Sequence, residues 1–392
     1  MRKAAPHDVT RRAFLHTAAV GMAAGCSQSN PAASPRGVTG RYPFYRAAGD
    51  HRKLGRQHGA QAAEHIHAHL AYIMRTLRLS RRQLRERALR FTPLFTTHCP
   101  HLLEELDGLA EGAGISRADA LAVNIRGALT RVGDEGCTTY VIGSRGTADG
   151  EILIGQNADT FAEIIDFAYV LHLEPTGKPE VLIWTFGGMI GYHGINSAGV
   201  GQFAADLGTG GPQPRFGLPH YPVKRMMLEC TRLDEISALL GQVPLGANGS
   251  YVLCDGRRKI LNIEATTAGP VTVGDDGAGF IAHSNHFVGD RYATPANHQR
   301  CMPDSFTRLE RMNGLLRDRY GEITVGDVQR FLGDRENDPT AICRRRTDEV
   351  GQGIETAGQT VASIIAEPAR RRMHVALGNA ADRVFVSYGM DS

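Results

Sequence analysis

The period of the apolar residues changes at Cys137, and that change restricts the fold more than any other feature of the chain. Ahead of it the pattern is helical. Ala62, Ala63, Ile66, Leu70, Ile73, Met74 and Leu77 predict a helix over 55–78. Ser80 is placed to cap an Arg-rich amphipathic stretch over 79–91. Leu102, Leu103, Leu106 and Leu109 mark a helix over 100–112, and Ser116 opens another over 116–129. A short strand with Tyr42, Phe44 and Tyr45 precedes them within 38–50. From Cys137 onward, strands are expected over 138–144, 151–156, 167–174, 180–186, 190–196, 199–204, 249–255, 259–266, 279–283, 360–367, 372–377 and 384–388. Helices interrupt them over 219–229, 233–242, 305–320 and 324–334. Many strands followed by paired helices predict an α+β sandwich of two sheets between helical layers.

The chain of 392 residues is long enough to bury a large core. Its net charge of +3 gives no electrostatic footprint for nucleic acid, and its 22% charged residues are ordinary for a globular enzyme. Short arginine runs such as Arg344-Arg345-Arg346 and Arg370-Arg371-Arg372 read as solvated faces. Residues 1–36 stand apart. Thr10-Arg11-Arg12-Ala13-Phe14-Leu15 matches a twin-arginine export signal, and Ala13 to Ala24 is too short an apolar run to span a bilayer. Small residues lead to Cys26, so lipidation of Cys26 and simple cleavage after a small residue are both open. Export to the periplasm or envelope is expected, with membrane contact only through that anchor. Five of the seven cysteines (Cys99, Cys230, Cys254, Cys301, Cys343) have no metal-type pairing, and disulfides or buried thiols are both open for them.

Cys137 itself lies between Gly136 and Thr138-Thr139, at the start of a hairpin that Asp159 closes. A cysteine nucleophile needs a base or a lowered pKa. A glycine ahead of it leaves the preceding carbonyl open to attack by the thiol. Such an acyl shift, resolved by water, frees the α-amine of Cys137, whose near-neutral pKa suits a base for its own thiol. On this reading 37–136 is a helical segment and 137–392 a β-rich catalytic segment. The two stay associated in one domain after cleavage.

Five separated motifs then carry a resemblance. Gly136-Cys137-Thr138-Thr139, Gly155-Gln156-Asn157-Ala158-Asp159, His283-Ser284-Asn285-His286-Phe287, Ala341-Ile342-Cys343-Arg344 and Thr360-Val361-Ala362-Ser363-Ile364-Ile365 occur in that order. Together with Leu54-Gly55-Arg56-Gln57-His58-Gly59 near the start, they resemble the acyl-coenzyme A:6-aminopenicillanic acid acyltransferase family. These are autoproteolytic N-terminal-nucleophile (Ntn) hydrolases of four-layer αββα fold. The resemblance implies cleavage at Gly136–Cys137 with Cys137 as nucleophile. It implies Asp159 near the new amine, Asn285 as an oxyanion-hole amide, Arg344 near the nucleophile, and Thr139 hydrogen-bonding within the site. Ala341 stands where the family often has Ser, and Ala158 where an aromatic is usual, which widens the expected acyl pocket.

No cofactor is expected, and no metal. His65, His67 and His69 share a predicted helix at spacings that scatter them round it. His283 and His286 read as scaffolding for Asn285, and the glycines at 208, 210 and 211 as a loop bordering a cleft. The expected substrate is a small N-acyl amide or peptide, with hydrolysis first and transfer to an amine second. An envelope-anchored binding protein with an inactive fold, and a conventional unprocessed Cys/His hydrolase, are the alternatives.

Overall fold

Capping residues set the helices of the first third. Asp50, Ser80 and Ser116 each accept a hydrogen bond from a backbone N–H in the first turn that follows. The computed structural model describes residues 40–130, 136–208, 210–274, 277–345 and 358–391. The export signal, Cys26, Asp134 and Glu135 lie outside them. The helices are α1 (His51–Gln61), α2 (Ala63–Leu77), α3 (Arg81–Leu89), α4 (Thr92–His98), α5 (Pro100–Ala113), α6 (Arg117–Asn124), α7 (Arg126–Thr130), α8 (His220–Met227), α9 (Leu233–Gln242), α10 (Pro295–His298), α11 (Ser305–Asp318) and α12 (Val325–Leu332). The helix expected over 55–78 is two helices that meet at Ala62, and the short α4 and α10 carried too few periodic positions to be foreseen. No helix of the described residues is long and apolar enough to cross a membrane.

The strands are β1 (Phe44–Gly49), β2 (Gly136–Ile142), β3 (Leu153–Thr160), β4 (Ala168–Pro175), β5 (Val181–Phe186), β6 (His193–Asn196), β7 (Gly201–Asp206), β8 (Gly249–Cys254), β9 (Ile260–Thr266), β10 (Gly269–Val273), β11 (Phe280–His283), β12 (Gln359–Glu367), β13 (Arg372–Leu377) and β14 (Phe385–Gly389). Eight form one sheet in the order β1-β4-β5-β6-β7-β8-β9-β10, and six form the other in the order β11-β2-β3-β12-β13-β14. Among the strands of the described residues only β1 pairs in parallel, against β4, so the segment ahead of Cys137 supplies an edge strand to the larger sheet. The sheets face each other through β2 and β3 against β7 and β8. Helices α1, α2 and α9 cover the outer face of the larger sheet, and α11 and α12 that of the smaller. This is the α, β, β, α layering that the sequence and the family resemblance predict.

Being covered on both faces has a consequence for β2 and β3. Every residue of both strands is buried. Thr138, Thr139, Gln156, Asn157 and Asp159 therefore sit where unpaired polar groups are costly, and each must find a partner inside the sandwich.

The helical layer is fixed by one carboxylate. Asp119, fully buried, completes the capping box of α6 with Ser116 and receives Arg81 (3.2 and 3.0 Å) and Arg85 (2.9 and 2.7 Å) from α3. Burial pushes its carboxyl pKa up, but the two guanidinium groups and Ser116 outweigh that and hold it well below the usual range. A depressed folded-state pKa gives stability that is present above the unfolded value, about 3.9, and is lost as pH falls. Asp119→Ala is expected to cost about 2 kcal/mol at pH 7, from a lost cap and half-exposed ion pairs. The deficit should shrink as pH drops below about 4. Urea unfolding of both chains at pH 7 and pH 3 checks this. A deficit that is the same at both values contradicts it.

Candidate active site

The hairpin of β2 and β3 builds the site, and strand alternation assigns its faces. Gly136 pairs with Asp159, Cys137 with Ala158, Thr138 with Asn157 and Thr139 with Gln156. Cys137 and Gln156 point between the sheets. Gln156 Nε2 lies 3.7 Å from Cys137 Sγ, and its Oε1 accepts the Ala204 N–H of β7 at 3.2 Å. This one side chain bridges the two sheets and fixes an N–H donor beside the thiol.

The opposite face looks toward α11 and α12. Asn157 donates to the carbonyls of Leu332 (2.8 Å) and Ile342 (2.9 Å), which ties the segment ahead of Arg344 to the sheet. Thr360 of β12 donates to Asp159 Oδ1 at 2.7 Å and accepts the Arg344 N–H at 2.9 Å. Arg344 Nε stands 3.3 Å from Asp159 Oδ2, and its Nη2 pairs with Asp304. A Cβ at residue 136 would come within 3.2 Å of the Arg344 guanidinium carbon and 3.3 Å of Asp159 Cβ. A side chain at residue 136 would thus crowd this ion pair by a few tenths of an ångström.

From α11 comes Arg308, which is fully buried. Its Nη1 donates to the Cys137 carbonyl (2.5 Å) and to Thr138 Oγ1 (3.0 Å), and its Nη2 to Asn285 Oδ1 (2.8 Å). Asn285 Oδ1 also accepts the Cys137 N–H at 2.9 Å, while Asn285 Nδ2 donates to the Asp206 carbonyl at 2.9 Å. Two donors facing the oxygen and a carbonyl facing the nitrogen fix the orientation of this amide. The Asn285 backbone N–H donates to Ser305 Oγ at 2.6 Å, and that hydroxyl is 2.6 Å from His286 Nδ1. Ser284 Oγ donates to the Cys137 carbonyl at 3.1 Å. Nitrogen, carbonyl oxygen and sulfur of Cys137 are each held by a named side chain.

Two arginines and two aspartates, Arg308, Arg344, Asp159 and Asp304, balance one another beside the Gly136–Cys137 peptide. Burial raises the Asp159 pKa against the pull of Arg344 and Arg308. Burial, then Arg308, lowers that of Arg344, and Cys137 lies within its electrostatic reach. Among the described residues, four other cysteines are set differently. Burial pushes Cys99 and Cys254 up to about 12, and Cys230 and Cys343 up to about 11, so these thiols are poor nucleophiles.

The structure gathers all the expected residues in one place but changes what three of them touch. Asp159 faces Arg344 and Thr360 on the helix side of the hairpin, and the Cys137 nitrogen is held by Asn285 instead. One of the two N–H donors on Asn285 Nδ2, the group expected at an oxyanion, goes to the Asp206 carbonyl. Thr139 donates its hydroxyl to the His283 carbonyl at 3.1 Å and so ties β2 to β11 rather than reaching the thiol. For Asp159 alternation is the cause: it pairs with Gly136, the neighbour of Cys137, and so lies on the opposite face of the hairpin.

Asp304, Ser305 and Arg308 were not singled out in the sequence, and Gln156 and Ser284 stood inside motifs without a role. Gln156 was legible as a polar residue inside a buried strand. Arg308 was legible as a charge on the stripe that α11 buries with Met312 and Leu316. His283 and His286 do serve as scaffolding: His283 contacts Glu264 (3.1 Å) and the Ser284 carbonyl (2.7 Å). His65, His67 and His69 contact Tyr45, Ala113 and Gly187 respectively, three separate places. The glycine loop borders the Asn285 segment, since a Cβ on Gly211 would lie 2.9 Å from the Phe287 ring.

Comparison with known proteins shows the family of the chain. Residues 146–382 match the acyl-coenzyme A:6-aminopenicillanic acid acyl-transferase family, a span that includes Asp159, Asn285, Arg308 and Arg344 and begins just after Cys137. The 40 kDa form of acyl-coenzyme A:6-aminopenicillanic-acid-acyltransferase from Emericella nidulans is 29% identical over 294 residues, covering 73% of this chain and 78% of that protein. Among solved structures, penicillin V acylase from Agrobacterium tumefaciens matches 65% of this chain and 86% of its own at 12% identity, with a TM-score of 0.43. A conjugated bile acid hydrolase from Clostridium perfringens, solved as a mutant, matches 64% and 96% at 12% identity, with a TM-score of 0.35.

Proposed function

The chain belongs to the acyl-coenzyme A:6-aminopenicillanic acid acyltransferase family, enzymes of acyl transfer at amide bonds, and we propose that it works through a Cys137 thioester after cutting its own Gly136–Cys137 bond. In the cut, Sγ bonds to the Gly136 carbonyl carbon and the C–N bond breaks. The thiol proton passes to the departing nitrogen. Water then hydrolyses the thioester, leaving a Gly136 carboxylate, a free thiol and the Cys137 α-amine. In turnover that amine takes the thiol proton, the thiolate attacks the substrate amide, and the ammonium returns the proton to the leaving amine. Water or a second amine accepts the acyl group.

The observation that carries this reading is the three-point hold on Cys137. Asn285 Oδ1 is positioned to orient the amine, and Ser284 and Arg308 to fix the residue's carbonyl. Gln156 Nε2 supplies an N–H beside the reacting sulfur, where the oxyanion forms. Gln156→Leu is expected to lower kcat about 10²–10³-fold with KM little changed, the loss typical of one oxyanion donor. An unchanged kcat would remove Gln156 from the mechanism.

The substrate proposed is a small N-acyl amide or peptide, hydrolysed rather than transferred. Its support is the twin-arginine signal, since an exported enzyme works where coenzyme A is not supplied. Turnover of an N-acyl amide panel with and without added amine separates the two outcomes: an acyl product that moves wholly to the amine favours transfer. Cell fractionation with Arg11→Lys and Arg12→Lys together tests export, which predicts that the variant stays in the cytoplasm.

A further inference from the structure

Far from Cys137 along the chain, the ends of three helices bring together a second group of titratable side chains. His51 opens α1, His101 and Glu105 lie one turn apart on α5, and Glu229 follows α8. Ligand-capable atoms of His51, His101 and Glu229 all lie within 4.8 Å of one another. His51 Nδ1 is 2.8 Å from Glu105 Oε2, and His101 Nε2 is 3.0 Å from Glu229 Oε2. A carboxylate accepts, so His51 places its Nδ1–H on Glu105 and keeps a lone pair on Nε2, while an ion would take the place of the proton between His101 Nε2 and Glu229 Oε2. The two rings meet edge to face at 4.8 Å. An imidazole backed by a carboxylate in this way is the usual form of a metal-ligating histidine. Glu229 also keeps Oε1 without a hydrogen bond, and Glu105 does the same.

We infer that His51, His101 and Glu229 form a site for a divalent transition cation of the zinc class. Three nitrogen and oxygen ligands at about 2.0–2.2 Å, with water as a fourth, suit such an ion. The atoms need to close by only an ångström or so, within the reach of side-chain rotation. The side chains of His51 and His101 are 14% and 29% exposed, which gives an ion access. Two cations share the cluster. Arg225 is fully buried, 3.3 Å from Glu105 and 3.5 Å from Glu229, and stays. Lys178 stands 2.5 Å from Glu229 Oε2 on a partly exposed, flexible stem. It marks where positive charge is wanted and can swing into water when an ion enters. The bound ion would clamp α1 and α5 to the end of α8, independently of the acyl-transfer reading.

The test is zinc titration of the tag-free Cys137→Ala chain, followed by calorimetry and by competition with a chromophoric chelator. The expected result is one equivalent bound and a raised unfolding temperature. His51→Ala and His101→Ala should each weaken binding tenfold or more, and Lys178→Met should strengthen it. The Lys178 variant guards against misfolding, because an unfolded chain would not gain affinity. Absence of stoichiometric binding by both the parent and the Lys178 variant overturns the site. So does zinc binding that survives in a folded His51→Ala, His101→Ala double variant.

Discussion

Cys137→Ala is expected to leave the purified protein as one polypeptide, uncut at Gly136–Cys137, and to lower amide turnover on the order of 10⁶-fold, the loss seen when a hydrolase loses its nucleophile. Both effects follow from one atom. Without Sγ nothing attacks the Gly136 carbonyl, so the α-amine is never released, and the same missing sulfur removes the thioester. The fold should survive. The change deletes one small buried group, while Arg308, Ser284 and Asn285 bind backbone atoms of residue 137 that alanine keeps. Intact mass and a substrate assay on the same sample decide the matter. Cys137→Ser sharpens the result: a hydroxyl attacks more slowly than a thiolate, so slow cutting with weak turnover is expected. Cutting that proceeds in the alanine variant would end the proposal for Cys137.

Gly55→Ala is expected to be the most destabilising single-methyl change in the helical layer, at about 3 kcal/mol or more. Helices α1 and α5 touch backbone to backbone through two glycines on each. A Cβ on Gly55 would lie 1.8 Å from the Glu105 carbonyl oxygen, and one on Gly59 2.3 Å from that of Leu109. From the other side, Gly108 and Gly112 would meet the carbonyl oxygens of Arg52 at 2.0 Å and Arg56 at 2.1 Å. Backbone atoms cannot rotate out of the way as a side chain can, so the whole helix must move. It would carry its packing on β1 and β4 with it. Gly314→Ala in α11 is the control, because nothing lies within 4 Å of the added carbon. It should stabilise the chain by about 0.5–1 kcal/mol through helix propensity alone. Urea midpoints of the two variants should move in opposite directions. A Gly55→Ala loss below about 1 kcal/mol would show that the pair relaxes freely.

The same helix pair shows how a sequence signal can be present and unread. Gly55-Arg56-Gln57-His58-Gly59 drew notice only as part of a family opening. Its counterpart Gly108-Leu109-Ala110-Glu111-Gly112 has the same small-residue spacing on a predicted helix. Matching the two would have predicted their contact. The strand expected at 151–156 runs four residues further, to Thr160, through the polar Asn157 and Asp159. In the sandwich both find buried partners, Asn157 in two carbonyls and Asp159 in Thr360 and Arg344.

By itself the sequence determined the switch from helical to alternating period at Cys137, the caps at Ser80 and Ser116, and the order of the motifs. These depend on local backbone preferences, which a short window of residues expresses. Only the tertiary structure decided which face each site residue occupies and which distant group meets it. Arg308 reaches Cys137 across 171 residues, and Asn285 across 148. Contacts of that range follow from how two sheets and the layer outside them pack. That geometry has no local signature, which is why Asn285 entered only through a family motif and Arg308 not at all.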